Sequence, residues 1–141
     1  MDNQINIQAV HHLTLTVSDV ARSREFYSGL FGFDLAGEFG ERVVLIKGNT
    51  LLALGPAPDP GRAKAGDSFD ENRVGLDHFS FGVSDKAELD RAVGILDANG
   101  VSHGEIVNLA PFGIDVLMFR DPDNIQVELT APRVNRWRLE W

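Results

Sequence analysis

The sequence predicts an α+β fold made of two βαβββ modules. Three observations predict this fold: an internal repeat, an alternating strand at the same place in each half, and a helix signal directly after each of those strands. In the repeat, His12 matches His78 at an offset of 66 residues, and residues 17–19 (Val-Ser-Asp) match residues 83–85. Because several matches occur in the same order, the two halves are predicted to share one topology.

The first module begins with a strand over residues 10–17, in which apolar side chains alternate with polar ones. Asp19 is predicted to cap the N-terminus of the following helix, and Gly32 is predicted to end it. Apolar segments then predict three strands, over residues 34–39, 42–47 and 50–54.

The second module follows the same plan. Asp85 and Glu88 have the spacing of a capping box, and Gly100 supplies the C-terminal stop of the helix. Three strands are predicted to follow, over residues 102–107, 114–120 and 125–130. Residues 121–124 (Asp-Pro-Asp-Asn) predict a type I turn between the last two, with Asn124 in the left-handed conformation.

The chain is predicted to be one domain over residues 1–141. Module one covers residues 8–55 and module two covers residues 74–131. A linker rich in Pro, Gly and charge, residues 56–73, joins them, and residues 132–141 form a tail. Trp137 and Trp141 in this tail are spaced for one helix face, which predicts packing on the domain or on a partner, with a lid over the site as the alternative.

Composition excludes several functional classes. The 13 Lys plus Arg residues against 21 Asp plus Glu residues give a net charge of −8, which argues against a sequence-independent nucleic-acid binder. The absence of cysteine excludes thiolate catalysis and thiolate metal sites. No apolar run is long enough to span a membrane and no secretion signal is evident, so we expect a cytoplasmic protein with a small-molecule substrate.

Strand alternation selects a candidate metal site. His12 and Thr14 share one face of the first strand, and His78 and Ser80 share the equivalent face in module two. On the last strand, Gln126 and Glu128 share a face. Two histidines and one carboxylate form the facial arrangement that binds a divalent transition metal and leaves positions open for other ligands. We therefore predict His12, His78 and Glu128 as metal ligands, and Thr14, Ser80 and Gln126 as substrate-binding residues beside them.

The other histidines are assigned differently, because each has a simpler alternative. His11 is predicted to point away from His12, as a surface or helix-packing residue. His103, at the start of a predicted strand, is the only candidate for a catalytic acid or base, with an exposed loop histidine as the alternative. Taken alone, His12 or Glu128 would also be explained as an ordinary polar strand residue.

Three segments together resemble the vicinal oxygen chelate superfamily: residues 12–19 (HLTLTVSD), 77–81 (DHFSF) and 119–129 (FRDPDNIQVEL). This superfamily includes glyoxalase I, extradiol dioxygenases, methylmalonyl-CoA epimerase, fosfomycin-resistance enzymes and bleomycin-binding proteins. The resemblance implies that the modules form a cupped mixed β-sheet barrel with the helices outside, around a metal that chelates two adjacent substrate oxygens. It also implies a homodimer, and the family's ligand positions fall on His12, His78 and Glu128.

The resemblance implies a metal-dependent enzyme, with dioxygenase chemistry slightly favoured and Fe²⁺ as the first choice of metal over Mn²⁺, Ni²⁺ or Zn²⁺. Glyoxalase I and the epimerase resemble each other in having a fourth protein ligand on the last strand of the first module, and Ala53 stands at that position here. The missing ligand leaves more positions open on the metal, which favours an oxygenase, lyase or transferase over an isomerase. The alternatives are a non-catalytic protein that sequesters a drug or natural product, and a metal-dependent thiol transferase or lyase.

Overall fold

A computed structural model describes residues 3–132 of the protein. The chain divides into two compact units, with the boundary between Ala65 and Gly66. In chain order, the described part of each unit contains one strand, one α-helix and three further strands, so the predicted α+β class with two βαβββ modules is confirmed. No helix among the described residues is long and apolar enough to cross a membrane. Trp137 and Trp141 of the predicted tail lie outside the described residues.

The first unit is a four-stranded mixed sheet with one helix. The strand order is β1-β4-β3-β2, in which β1 runs parallel to β4 and the other neighbours are antiparallel. The predicted bounds of β2 and β3 are confirmed. The elements are β1 (Leu13–Thr16), α1 (Val20–Phe31), β2 (Asp34–Phe39), β3 (Arg42–Lys47) and β4 (Thr50–Gly55).

Helix α1 begins and ends at the predicted residues. The Asp19 side chain accepts a hydrogen bond of 3.0 Å from the backbone N–H of Arg22, and Gly32 ends the helix with φ 73°. The helix packs on β3 and β4, and the buried apolar residues of this unit include Tyr27, Leu45 and Leu52, all fully buried. Full burial of one such side chain contributes about 1.5–3 kcal/mol to folding.

The second unit repeats the topology of the first, with strand order β5-β8-β7-β6 and β5 parallel to β8. Helix α2 is capped by Asp85, whose carboxylate accepts from the backbone N–H of Glu88 at 3.0 Å, as the capping-box spacing predicts. The elements are β5 (Phe79–Gly82), α2 (Lys86–Ala98), β6 (Val107–Leu109), β7 (Ile114–Arg120) and β8 (Gln126–Pro132).

The predicted strand over residues 102–107 is wrong, because β6 begins only at Val107. His103 forms an isolated bridge to Phe119, and the backbone N–H of Gly104 donates to the Met118 carbonyl at 2.8 Å. The His103 side chain is hydrogen-bonded toward α2, as described below. This segment is thus fixed by separate contacts and not by a continuous ladder, which period-two alternation alone cannot distinguish.

The turn between β7 and β8 and the end of the predicted linker are bonded to each other. Asn124 adopts φ 64°, as predicted, and its side-chain amide donates to the Phe69 carbonyl at 3.0 Å. Glu71 accepts two hydrogen bonds, of 2.8 and 2.9 Å, from the Arg120 guanidinium. This pairing lowers the pKa of Glu71 to about 2. The chain before β5 is thereby held against the end of its own sheet.

Candidate metal centre

One face of the second sheet is mostly apolar, and the other carries polar side chains beside Val116 and Met118. Val127 and Leu129 of β8 are buried on the same face as their register partners Phe79 and Phe81, and α2 packs on β8. Glu128 lies on the opposite face, where its partner on β5 is Ser80. The alternation therefore places a carboxylate among hydroxyl groups on the face away from the helix.

His78 and Glu128 approach each other on this polar face. His78 Nε2 lies 3.4 Å from Glu128 Oε2, and the two side chains are 33% and 10% exposed. Two ligand atoms that each lie about 2.1 Å from one metal ion are separated by about 3.0–3.4 Å, depending on the bond angle. The two atoms therefore have the chemistry and the spacing of neighbouring ligands of one divalent ion.

The second ring nitrogen of His78 is held by a carboxylate. His78 Nδ1 lies 2.6 Å from Asp77 Oδ1, and that same oxygen accepts a hydrogen bond of 3.1 Å from the Gln126 amide. A carboxylate that accepts the Nδ1 proton fixes the tautomer and leaves the Nε2 lone pair available to a metal. Gln126, predicted to bind substrate, contacts Asp77 in the structure.

Asp77 was not predicted to have a role. In a regular strand, successive side chains point to opposite faces, so a residue directly before His78 would be excluded from its site. Strand β5 begins only at Phe79, so this rule does not apply to Asp77. The available signal was a carboxylate directly beside a candidate ligand histidine.

The second oxygen of Glu128 is also held. The Thr130 hydroxyl donates to Glu128 Oε1 at 2.7 Å, and it lies 2.5 Å from the Ser80 hydroxyl. Ser80, predicted to contact substrate, is thus joined to Glu128 through one hydroxyl. These contacts orient the carboxylate and leave Oε2 directed at His78.

His12 lies in the first unit, directly before β1, and is exposed. Its Nδ1 is 2.9 Å from His11 Nδ1, so the prediction that His11 points away from His12 is wrong. The other nitrogen of His12, Nε2, is the one left for a ligand. Thr14 pairs with Ala53 in the register in which Ser80 pairs with Glu128. Ala53 therefore occupies the repeat position of Glu128, and a methyl group cannot bind metal.

His78 and Glu128 are close together in the second unit, whereas His12 belongs to the first unit. Within the described part of either unit, no three His, Cys, Asp or Glu side chains are grouped closely enough to hold a metal ion. His78 and Glu128 are thus two candidate ligands that require a third from elsewhere. The repeat still selects His12 for that role.

His103 is not beside His78 and Glu128. Its cross-strand partner Phe119 belongs to the buried, apolar side of the sheet. His103 Nε2 lies 2.7 Å from Asp97 Oδ1 of α2, and Nδ1 lies 2.6 Å from the Gly104 carbonyl. Because both nitrogens have acceptors, the predicted role of His103 as a catalytic base would require one of these bonds to open.

The contacts of His103 predict a pH-dependent contribution to stability. The Gly104 carbonyl, and then Asp97, raise the pKa of His103 above its usual value. A raised folded-state pKa stabilises the fold fully below the unfolded value of about 6.5, and this contribution is lost as the pH rises through the folded value. We expect His103→Gln to lower the urea unfolding free energy more at pH 5.5 than at pH 9. An equal loss at both pH values would contradict the assigned contacts.

The family is decided by a model that matches most of the chain. The model described as the Glyoxalase/Bleomycin resistance protein/Dioxygenase superfamily matches residues 9–129. The chain belongs to this superfamily. The resemblance seen in the sequence is thereby confirmed, and the match covers most of both modules of this superfamily member.

Proteins of similar sequence and of similar structure are known. YaeR of Escherichia coli is 27% identical over 137 residues, which cover 89% of this chain and 97% of YaeR. A glyoxylase/bleomycin resistance protein/dioxygenase domain from Frankia sp. EAN1pec is 25% identical with a TM-score of 0.75, covering 96% of this chain and all of that domain.

A metal-bound structure shares the fold. It is a variant of the fosfomycin resistance protein FosX from Listeria monocytogenes, in complex with Mn(II) and 1S,2S-dihydroxypropylphosphonic acid. It is 20% identical, with a TM-score of 0.71, over 92% of this superfamily member and 94% of the FosX chain. At this identity the match shows a common fold.

Proposed function

We propose that this protein is a metal-dependent enzyme that acts on a small organic molecule through two adjacent oxygens of that molecule. The observation that carries the proposal is the approach of His78 Nε2 to Glu128 Oε2, at 3.4 Å, with the remaining polar atom of each side chain already hydrogen-bonded. FosX, a protein of the same fold, was crystallised with Mn(II) and a phosphonate that carries two neighbouring hydroxyl groups.

The proposed ligands are His12, His78 and Glu128. His12 is the repeat equivalent of His78, and it is supplied by the same chain or by a second copy in the proposed homodimer. Imidazole and carboxylate ligands suit Fe²⁺, our first choice, and also Mn²⁺, Ni²⁺ or Zn²⁺. When bound, such an ion acts as a Lewis acid on the substrate oxygens and, as Fe²⁺, also allows reaction with dioxygen.

The remaining residues of the site are assigned from their contacts. Ala53 supplies no fourth ligand, so the substrate has room to bind through two oxygens. Thr14 is exposed beside Ala53 and is proposed to contact substrate. Ser80 is proposed to hold Glu128 through Thr130, and Gln126 is proposed to hold Asp77. The Ser80 hydroxyl oxygen and the Gln126 side-chain carbonyl, which can still accept hydrogen bonds, are proposed to face the substrate.

Dioxygenase chemistry is the reaction that we propose to test first. We expect protein loaded anaerobically with Fe²⁺ to consume oxygen with at least one member of a catechol and diketone panel, and Glu128→Ala to consume none. Glu88→Ala is the matched control, because Glu88 lies on α2 and contacts Arg91. Equal oxygen uptake by the wild type and Glu128→Ala would contradict the proposed ligands. Metal binding without uptake would favour a lyase or transferase.

A further inference from the structure

The first sheet also has two different faces, and the contacts of its charged residues show which face lies toward α1. Lys47 donates to the carbonyl of Phe31 at the end of α1, and Glu38 lies 4.0 Å from Arg24 of α1. These residues therefore lie on the helix side of the sheet. Arg42 alternates with the buried Val43 and lies on the opposite face, which is also the face of Thr14 and Ala53.

The stem of Arg42 lies across β4. A Cβ atom added to Gly55 would be 3.1 Å from Arg42 Nε and 3.4 Å from Arg42 Cγ. Gly55 is buried although it has no side chain of its own. In the second module Thr130 occupies the repeat position of Gly55, since Gly82 pairs with Thr130 as Thr16 pairs with Gly55. Glycine at this place leaves room for the arginine to lie flat on the sheet.

The guanidinium of Arg42 differs from that of Arg120. Arg120 makes a two-bond pair with Glu71, whereas Arg42 makes no hydrogen bond or ion pair with any residue from 3 to 132. Phe39, the cross-strand partner of Arg42, is 73% exposed on the same face. A cation whose donors are not used by the described residues thus stands beside an aromatic ring, in a chain whose net charge is −8.

We propose that Arg42 and Phe39 form a subsite for the anionic end of the substrate, a carboxylate or phosphate attached to an apolar or aromatic body. The assignment of this subsite to the substrate rests on the proposed function, because it takes the face of Thr14 as the face that the substrate occupies. Thr14 pairs with Ala53, which pairs with Val44 of β3. Arg42 is two residues before Val44 on the same strand, a distance of about 6.8 Å along it. The planar guanidinium can donate two parallel hydrogen bonds to an oxyanion, while Phe39 covers the apolar body.

The test uses three probes of similar shape on the full chain: phenylacetate, phenyl phosphate and the uncharged phenylacetamide. We expect both anions, and not the amide, to shift the Arg42 Nε–Hε resonance in ¹H–¹⁵N spectra. The anion that binds more tightly shows whether the subsite prefers a carboxylate or a phosphate. Loss of a charge-assisted hydrogen bond predicts binding weaker by about tenfold or more in Arg42→Met, which keeps the stem over Gly55 without the charge.

Two further variants make the result specific to this residue. Arg42→Lys keeps the charge without the paired donors and should retain part of the affinity. Arg24→Met, in helix α1 on the other side of the sheet, should bind the anions as the wild type does. Unchanged binding in a folded Arg42→Met protein, or equal binding of phenylacetate and phenylacetamide, would overturn the subsite.

The same titration is repeated with Zn²⁺ present, which separates the two proposals. Anion binding that is lost in Arg42→Met, in a protein that binds no Zn²⁺, would support the subsite and contradict the proposed metal function. Zn²⁺ binding without a response of Arg42 to either anion would overturn the subsite alone.

Discussion

Replacement of Glu128 or His78 by alanine is expected to lower the affinity for a divalent metal ion by about 100-fold or more. Changes in groups that only support a metal ligand typically cost 10–100-fold in affinity, so the loss of a ligand itself should cost at least as much. The two atoms concerned, His78 Nε2 and Glu128 Oε2, are 3.4 Å apart. Isothermal titration of the metal-free protein with Zn²⁺ or Mn²⁺ measures the loss.

The expected loss must be separated from unfolding. Glu128 is largely buried, and its Oε1 accepts a hydrogen bond from Thr130. Glu128→Gln keeps the size of the side chain and an acceptor oxygen, so it should preserve the fold and still weaken metal binding, since a neutral amide is a poorer ligand than a carboxylate. Glu88→Ala should bind metal like the wild type. Wild-type affinity in Glu128→Gln and Glu128→Ala would remove Glu128 from the ligand set.

Replacement of Asp77 by alanine is expected to lower metal affinity by about 10–100-fold, because His78 would lose the carboxylate that fixes its tautomer and ring orientation. The contact is short, at 2.6 Å, and Gln126 holds the same carboxylate oxygen at 3.1 Å. Asp77→Asn retains an acceptor oxygen of the same shape, so the loss should be smaller than in Asp77→Ala. Metal titration of both variants gives the comparison.

Asp67 provides the control for Asp77. It is also an exposed aspartate of the second unit, and its carboxylate accepts from the backbone N–H of Ser68. Asp67→Ala should leave metal affinity unchanged. If Asp77→Ala also bound metal with wild-type affinity, the contact between Asp77 and His78 would have no part in ligand binding.

Local patterns predicted most of the strands because both the alternation and the turns are local. Strands β2, β3 and β7 have the predicted bounds, since each lies between turn residues in the sequence. Strand β6 was misplaced because His103 and Gly104 make individual contacts to β7 in place of a ladder. Such contacts depend on where β7 lies in the folded protein, and the local periodicity of the sequence carries no information about that position.

In the candidate site too, some features could be predicted from the sequence and others could not. The shared face of Ser80 and Glu128 follows from period-two alternation and from the repeat, and the register confirms it. Asp77 was missed because it acts just outside the strand. The contact between Arg42 and Gly55 depends on the pairing of two strands, so no single segment of sequence reveals it.

Metal analysis of the wild type beside His12→Ala tests the central claim most directly. Both proteins are purified without chelator and supplied with iron under anaerobic conditions before unbound metal is removed. The proposed ligand set predicts stoichiometric metal in the wild type and little in a folded His12→Ala protein. A wild type without metal, or equal metal in both proteins, would contradict it.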